Sequence, residues 1–154
     1  MNSKLYDIKD LSCRYPESET DVLRVKELQI DKGSIVFLLG ASGFGKSTFL
    51  ETLGLMNNTI RSGEINFYRD DRNYIDLGKV WNESKTERVE IRKNHYGFIF
   101  QNTNLMSNLT AEENVVLAGL IKEDSPFNEF TQDALKLFKK IGLNTSGFNK
   151  DALP

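Results

Sequence analysis

The 154-residue sequence holds one cysteine, Cys13, one histidine, His95, and no apolar run long enough to cross a bilayer. A single cysteine excludes an internal disulfide and any multi-cysteine metal site, and it favours a reducing compartment. The longest apolar stretches, Ile35 to Ala41 and Val115 to Ile121, fall far short of the roughly 20 residues that a membrane-spanning helix needs. The stretch Met1 to Asp7 lacks the apolar core of a secretory signal. Internal repeats, low-complexity tracts and long Gly, Ser or Pro linkers are also missing, which leaves one folded unit as the expectation. Net charge is -2, with 27% charged and 39% apolar residues. That balance excludes intrinsic disorder and gives no reason to expect nucleic acid. The length suits a single domain.

What the sequence does contain is an ordered succession of strand and helix patterns. Leu5 to Ser12 and Val22 to Ile30 suit pleated surfaces, and the polar segment Pro16 to Asp21 between them predicts an antiparallel pair. After Gly33, Ile35-Val36-Phe37-Leu38-Leu39 is a continuous apolar run, which predicts a central strand buried on both faces. Phe49, Leu50, Leu53 and Met56 recur at helical spacing within Lys46 to Met56, and Asn57-Asn58 closes that helix. Gly63 to Tyr68 and Asn73 to Leu77 resemble another hairpin around the charged turn Arg69 to Arg72. Ser84-Lys85-Thr86-Glu87 and Thr110-Ala111-Glu112-Glu113 have capping-box spacing and open helices reaching about Asn94 and about Ile121. Tyr96 to Phe100 reads as a second buried strand with Gln101 at its end. Ala134, Leu137, Phe138 and Ile141 mark a last helix stopped at Gly142.

Gly40-Ala41-Ser42-Gly43-Phe44-Gly45-Lys46-Ser47-Thr48 fits G-x-x-x-x-G-K-[ST] and lies between an expected buried strand and an expected helix, the context that gives this motif its meaning. Glycines let the backbone curl until successive N–H groups face one concavity, where the helix N-terminus adds its positive end. Lys46 can reach β- and γ-phosphates, Ser47 is placed for a magnesium ion bridging them, and Thr48 can donate from backbone and hydroxyl. An accidental glycine-rich turn with a lysine is rare at an average glycine usage of about 7%. The motif indicates a nucleotide but no particular machine, since kinases, GTPases and transport ATPases share it.

Four stretches choose among these: Leu11-Ser12-Cys13-Arg14-Tyr15, the glycine-rich loop, Ile91 through Gln101, and Asn104 through Val115. Together they resemble the ATP-binding subunits of ABC transporters, most closely the branch serving lipoprotein release and macrolide-type efflux. The resemblance implies an α/β fold: a P-loop NTPase core with a partial parallel sheet, an N-terminal antiparallel β subdomain and the start of a helical subdomain. Residues 1–101 would form the core and 102–154 the beginning of the helical part. ATP and Mg2+ are the implied cofactors. Tyr15 would stack on adenine through its π-face, and Gly40, Ser42, Gly43, Gly45, Lys46, Ser47 and Thr48 would hold the phosphates. Gln101 corresponds to the Q-loop glutamine, which approaches magnesium and the attacking water. Lys46 and Gln101 are thus the expected catalytic residues, and Ser47 and Gln101 the expected metal-side residues. The implied partners are a transmembrane permease subunit, docking on the region after Gln101, and a second nucleotide-binding subunit; nucleic acid is not among them. Leu105, Met106 and Leu109 either contact that permease or fill a small core of their own. The implied location is cytoplasmic, peripheral on the inner face of the cell membrane.

The sequence also departs from that family. A complete member carries Leu-Ser-Gly-Gly-Gln, an apolar strand ending in Asp-Glu and a switch histidine, and none of these is present; Glu123-Asp124 follows Lys122 rather than an apolar strand. Leu153-Pro154 resembles the lead-in to the signature, so the chain reads as a fragment or an engineered piece, expected to have lowered stability or to self-associate. The expected activity is therefore ATP hydrolysis in the complete protein and nucleotide binding without turnover here, with another P-loop enzyme as the alternative. Phe44 replaces a usual small residue and either packs on the sheet or projects from the loop tip, with phosphate binding expected to survive. Other conspicuous residues carry plainer expectations: His95 at the surface, Cys13 packed as a small apolar group, Trp81 anchoring a polar loop, and Arg88, Arg92 and Lys93 on a solvated helix face.

Overall fold

The structure, a computed structural model, describes residues 3–101, 105–122 and 127–143. The chain divides into two compact units, Met1–Tyr96 and Gly97–Pro154.

The first unit is built on four strands, β1 (Lys4–Cys13), β2 (Leu23–Asp31), β3 (Ile60–Tyr68) and β4 (Tyr74–Asp76). They pair antiparallel in the order β2-β1-β3-β4. Strict alternation would send Ile8 and Leu11 to opposite faces. The ladder to β3 instead slips between Lys9 and Ser12, and Ile8, Leu11 and Cys13 are all buried. A bulge of this kind re-aims the side chains that follow it. Three helices complete the core: α1 (Lys46–Leu53), α2 (Leu77–Glu83) and α3 (Lys85–His95). Phe49, Leu53, Leu77, Val80 and Ile91 join Ile8, Leu11, Ile65 and Phe67 in one cluster. Each such side chain contributes about 1.5–3 kcal/mol when fully buried.

Two helix starts follow from capping chemistry. Asp76 accepts from the Gly78 and Lys79 amides at the head of α2, and Ser84 accepts from the Glu87 amide at the head of α3. The strand pattern across Asn73 to Leu77 hides the first of these, so α2 is an element the sequence reading misses. Trp81 accordingly lies on a helix, half-buried, with the Arg88 guanidinium 4.3 Å above its ring. Arg88, Arg92 and Lys93 are half-buried too, so the solvated face expected of them is corrected.

The two strands expected at Ile35 to Leu39 and Tyr96 to Phe100 do not form. No described strand pairs with either segment, and Ile35 is 83% exposed, Leu39 90% and Ile99 102%. A strand buried on both faces needs a ladder on each side and layers above and below. Apolar run length records that demand without supplying the neighbours, and the described sheet is antiparallel throughout.

In the second unit α4 (Ala111–Lys122) and α5 (Phe127–Lys140) pack together, burying Val116, Ala134 and Phe138. Gly119 lies against the Phe130 ring, where a larger side chain has no room. The capping box ahead of α4 is complete: Glu113 N donates to Thr110 Oγ1 at 3.1 Å and Thr110 N to Glu113 Oε2 at 2.7 Å. At the other end Gly142, at φ 79°, donates to Lys139 O while Leu143 N donates to Phe138 O, the paired bonds of a left-handed helix stop. Glu123-Asp124 and Leu153-Pro154 lie outside the described residues.

Candidate functional site

The loop from Gly40 to Thr48 sits at the head of α1. Gly45 precedes the helix at φ 74° and ψ 13°, left-handed geometry that favours glycine. A Cβ at Gly45 would meet the Val22 carbonyl oxygen at 2.8 Å and Leu23 Cβ at 3.3 Å. The loop therefore lies tight against the entry to β2, an approach that only a bare α-carbon permits. No side chain caps α1 and no acid occupies its first turn. Its leading N–H donors and positive end are thus available to an anion.

Lys46 Nζ curls back over the loop and donates to the carbonyls of Gly40 at 2.8 Å and Ala41 at 2.5 Å. Ser47 is exposed beside it and Thr48 is buried. Gly40, Ser42 and Gly43 are exposed on the loop, and Phe44 projects from it, 70% exposed. Tyr15, two residues past β1 and half-buried, reaches Thr48: their hydroxyl oxygens are 3.0 Å apart. The structure so gathers the adenine-side and phosphate-side candidates of the first unit into one neighbourhood. Gln101 belongs to the second unit and is exposed there, as are Leu105 and Met106. Residues 102–104, including Asn104 at the head of the last stretch of the resemblance, lie outside the described residues.

Behind the loop lies a polar network that sequence reading misses. Thr52 Oγ1 is 2.6 Å from Thr48 O, 3.0 Å from Asn57 Oδ1 and 2.7 Å from Thr59 Oγ1. Thr52 and Thr59 are both fully buried. The available signal was Thr52 itself, a polar residue beside Leu53 on the core side of α1. Cys13 packs at the same place, its Sγ 4.0 Å from Thr52 Oγ1, and burial pushes its thiol up from the ordinary range.

The donor set fits a polyphosphate: an uncapped helix start, a lysine ammonium over the loop and an exposed serine at the first turn. Elsewhere on the sheet an open groove of about 500 Å³ is lined by Arg14, Arg24, Lys26 and Arg61. Asp21 neutralises part of it, 2.8 Å from Arg24 and 3.3 Å from Arg14. Hydrogen bonds from Ser12 and Arg24 hold the Asp21 carboxyl below its usual range. Nothing in that groove repeats the helix-end geometry.

Residues 23–153 match the ABC transporter family. The chain belongs to that family. It is 33% identical to the lipoprotein-releasing system ATP-binding protein LolD of Francisella tularensis subsp. holarctica strain OSU18, covering 99% of this chain and 63% of that protein. It is 36% identical to the macrolide export ATP-binding/permease protein MacB of Mannheimia succiniciproducens, over 95% of this chain and 22% of that protein. Among solved structures it is similar to the dimeric ATP-binding cassette MJ0796 in a post-hydrolysis state bound to ADP and Pi. That match has a TM-score of 0.72 and 30% identity, and it covers 91% of this chain and 58% of that one. The α/β, P-loop NTPase fold expected from the sequence is thereby shown, as is the ATP-binding domain of an ABC transporter. The chain spans less than two thirds of the LolD relative it matches. Among the described residues, no helix is long and apolar enough to cross a membrane.

Proposed function

We propose that this chain binds Mg-ATP at Gly40 to Thr48, as the nucleotide-binding part of a transport ATPase. The observation that carries the reading is the bare N-terminus of α1, seated against Val22 by a left-handed Gly45 and overhung by Lys46. A polyphosphate gives Lys46 anionic acceptors in place of the neutral Gly40 and Ala41 carbonyls, adding ion-pair attraction to hydrogen bonds that the ammonium already makes. The amides of residues 43–48 would hold phosphate oxygens, and Ser47, with Gln101, would hold magnesium, which when bound would neutralise phosphate charge. Tyr15 would offer its ring to adenine. Lys46 and Gln101 would position the γ-phosphate and the attacking water in the complete enzyme.

For these 154 residues alone we propose binding without turnover, because the sequence contains neither the signature Leu-Ser-Gly-Gly-Gln nor an apolar strand ending in Asp-Glu. The dimeric solved cassette supports pairing with a second nucleotide-binding subunit. The names of the LolD and MacB relatives support a permease partner, engaged through the exposed Leu105 and Met106, and a place on the inner face of the cell membrane. Calorimetric titration with Mg-ATP, alongside a phosphate-release assay, tests the proposal. Wild type should bind, Lys46→Ala should bind at least about tenfold more weakly, and neither should release phosphate. Lys46-dependent hydrolysis would remove the claim of no turnover. Absence of binding by wild type would remove the whole reading.

A further inference from the structure

Thr48 is held at both ends. Its hydroxyl lies 3.0 Å from the Tyr15 hydroxyl, 33 residues away in sequence. Its carbonyl accepts from Thr52 Oγ1 at 2.6 Å and from Asn57 Nδ2 at 3.5 Å. The Thr52 hydroxyl in turn lies 2.7 Å from that of Thr59, at the entry to β3. Hydroxyls buried this deeply persist only with partners. The first turn of α1 is thus fixed from the sheet on one side and from Tyr15 on the other.

Stacking on a base calls for the ring of Tyr15 and has no use for its hydroxyl. That hydroxyl is instead spent on Thr48, two residues after Lys46, in the turn whose amides face the phosphate site. We infer that Tyr15 is a positioning residue for the phosphate loop, acting through Thr48, in addition to any role toward a base. The inference rests on the nucleotide-binding reading above. A turn held in its binding geometry loses less freedom when the anion arrives, and that saving appears as affinity. The consequence is specific: removing the Tyr15 hydroxyl weakens a ligand that has no base at all.

The experiment is calorimetric titration with Mg-ATP and with inorganic tripolyphosphate, on wild type, Tyr15→Phe, Thr48→Val and the double variant, with thermal unfolding measured on each. Tyr15→Phe is expected to weaken both ligands by a common factor of about three to ten. In the Thr48→Val background the same change should have no further effect. Thr48→Ser, which keeps a hydroxyl, should restore the dependence on Tyr15. If Tyr15→Phe weakens ATP alone, or neither ligand, while binding still depends on Lys46, the inference is overturned and the nucleotide reading stands. If wild type binds neither ligand, both fall. Should Thr48→Val fail to fold, the tripolyphosphate arm of Tyr15→Phe decides the matter by itself, because a general loss of stability lowers the melting temperature without changing the affinity of the folded protein.

Discussion

The Arg92 guanidinium donates to the carbonyl oxygen of Leu55 at 2.7 Å, joining α3 to the turn that ends α1. Leu55 is fully buried and left-handed at φ 54°, with its amide on Thr52 O and the Met56 amide on Glu51 O. Helix stops of this form usually place glycine at the left-handed position, and a side chain there costs about 1–2 kcal/mol. Here Gly54 comes one residue early, and the strained residue is a leucine that the core needs. Arg92→Ala should therefore lower unfolding free energy by about 1–3 kcal/mol, since it leaves a carbonyl without its charged donor. Leu55→Gly should also destabilise, because relief of strain does not offset the roughly 2–5 kcal/mol lost with a buried leucine. Urea unfolding of both variants checks this, and an Arg92→Ala midpoint equal to wild type would show that the bond contributes nothing.

The antiparallel sheet, the helix after the glycine-rich loop, the Ser84 cap and the full capping box at Thr110 were legible because each is coded locally. Residues that suit a pleated surface in β1, Ser84 three residues before Glu87 and Thr110 three before Glu113 suffice. The two strands expected at Ile35 to Leu39 and Tyr96 to Phe100 were read from apolar run length, and neither forms among the described residues. Ile35 to Leu39 announces burial on two faces, yet burial depends on segments distant in sequence. Arg88 and Arg92 misled for a related reason: alternation with Glu87 and Glu90 signals solvent, and only tertiary contact reveals Trp81 and the Leu55 carbonyl as their partners. At the candidate site the motif fixed the residue types of the loop. It could not disclose that Tyr15 spends its hydroxyl on Thr48.

Gly43 and Gly45 are both left-handed, at φ 86° and 74°, but only Gly45 is crowded. Nothing lies within 4 Å of a Cβ at Gly43, whereas one at Gly45 meets Val22 O at 2.8 Å. Gly43→Ala should thus cost only the conformational penalty of about 1–2 kcal/mol. Gly45→Ala should cost more, because it also levers the loop away from β2, and it should suffer the larger loss of tripolyphosphate affinity. Urea unfolding and calorimetry on the two variants decide it, and equal losses would refute the argument from crowding.

Asn114, in the first turn of α4, ties down the segment before that helix. Its Oδ1 accepts from the Met106 amide at 2.8 Å, and its Nδ2 lies within 3.2 Å of the carbonyls of Met106, Leu109 and Thr110. One amide side chain thereby shapes a loop that leaves Leu105 and Met106 exposed. Asn114→Ala should speed hydrogen exchange at the Met106 and Leu109 amides by about tenfold or more, as expected when a bond worth about 1–2 kcal/mol is lost. The amides of α1 should be unaffected. Exchange that rose equally in α1 would point to global destabilisation rather than release of this loop.

Tyr6 donates its hydroxyl to that of Tyr96 at 2.7 Å, with Phe67 against both rings. Burial pushes the Tyr6 phenol from its ordinary 10 up to about 12 and, again as the leading cause, raises that of Tyr96. A phenol with a raised pKa in the folded state keeps its proton to higher pH there than in the unfolded chain. Its stabilising contribution is complete below about pH 10 and is lost as pH climbs from there through about 12, since unfolding then releases a proton. Unfolding free energy should fall steadily above about pH 10 in wild type. Tyr6→Phe should start lower at neutral pH, by about 1–2 kcal/mol for the lost hydrogen bond, and then decline less steeply in the alkaline range. The buried Cys13 thiol, also raised, adds the same slope to both proteins and cancels in the comparison. Urea unfolding at a series of pH values from neutral to alkaline measures the difference, and parallel slopes would mean that Tyr6 does not control the alkaline limit of the fold.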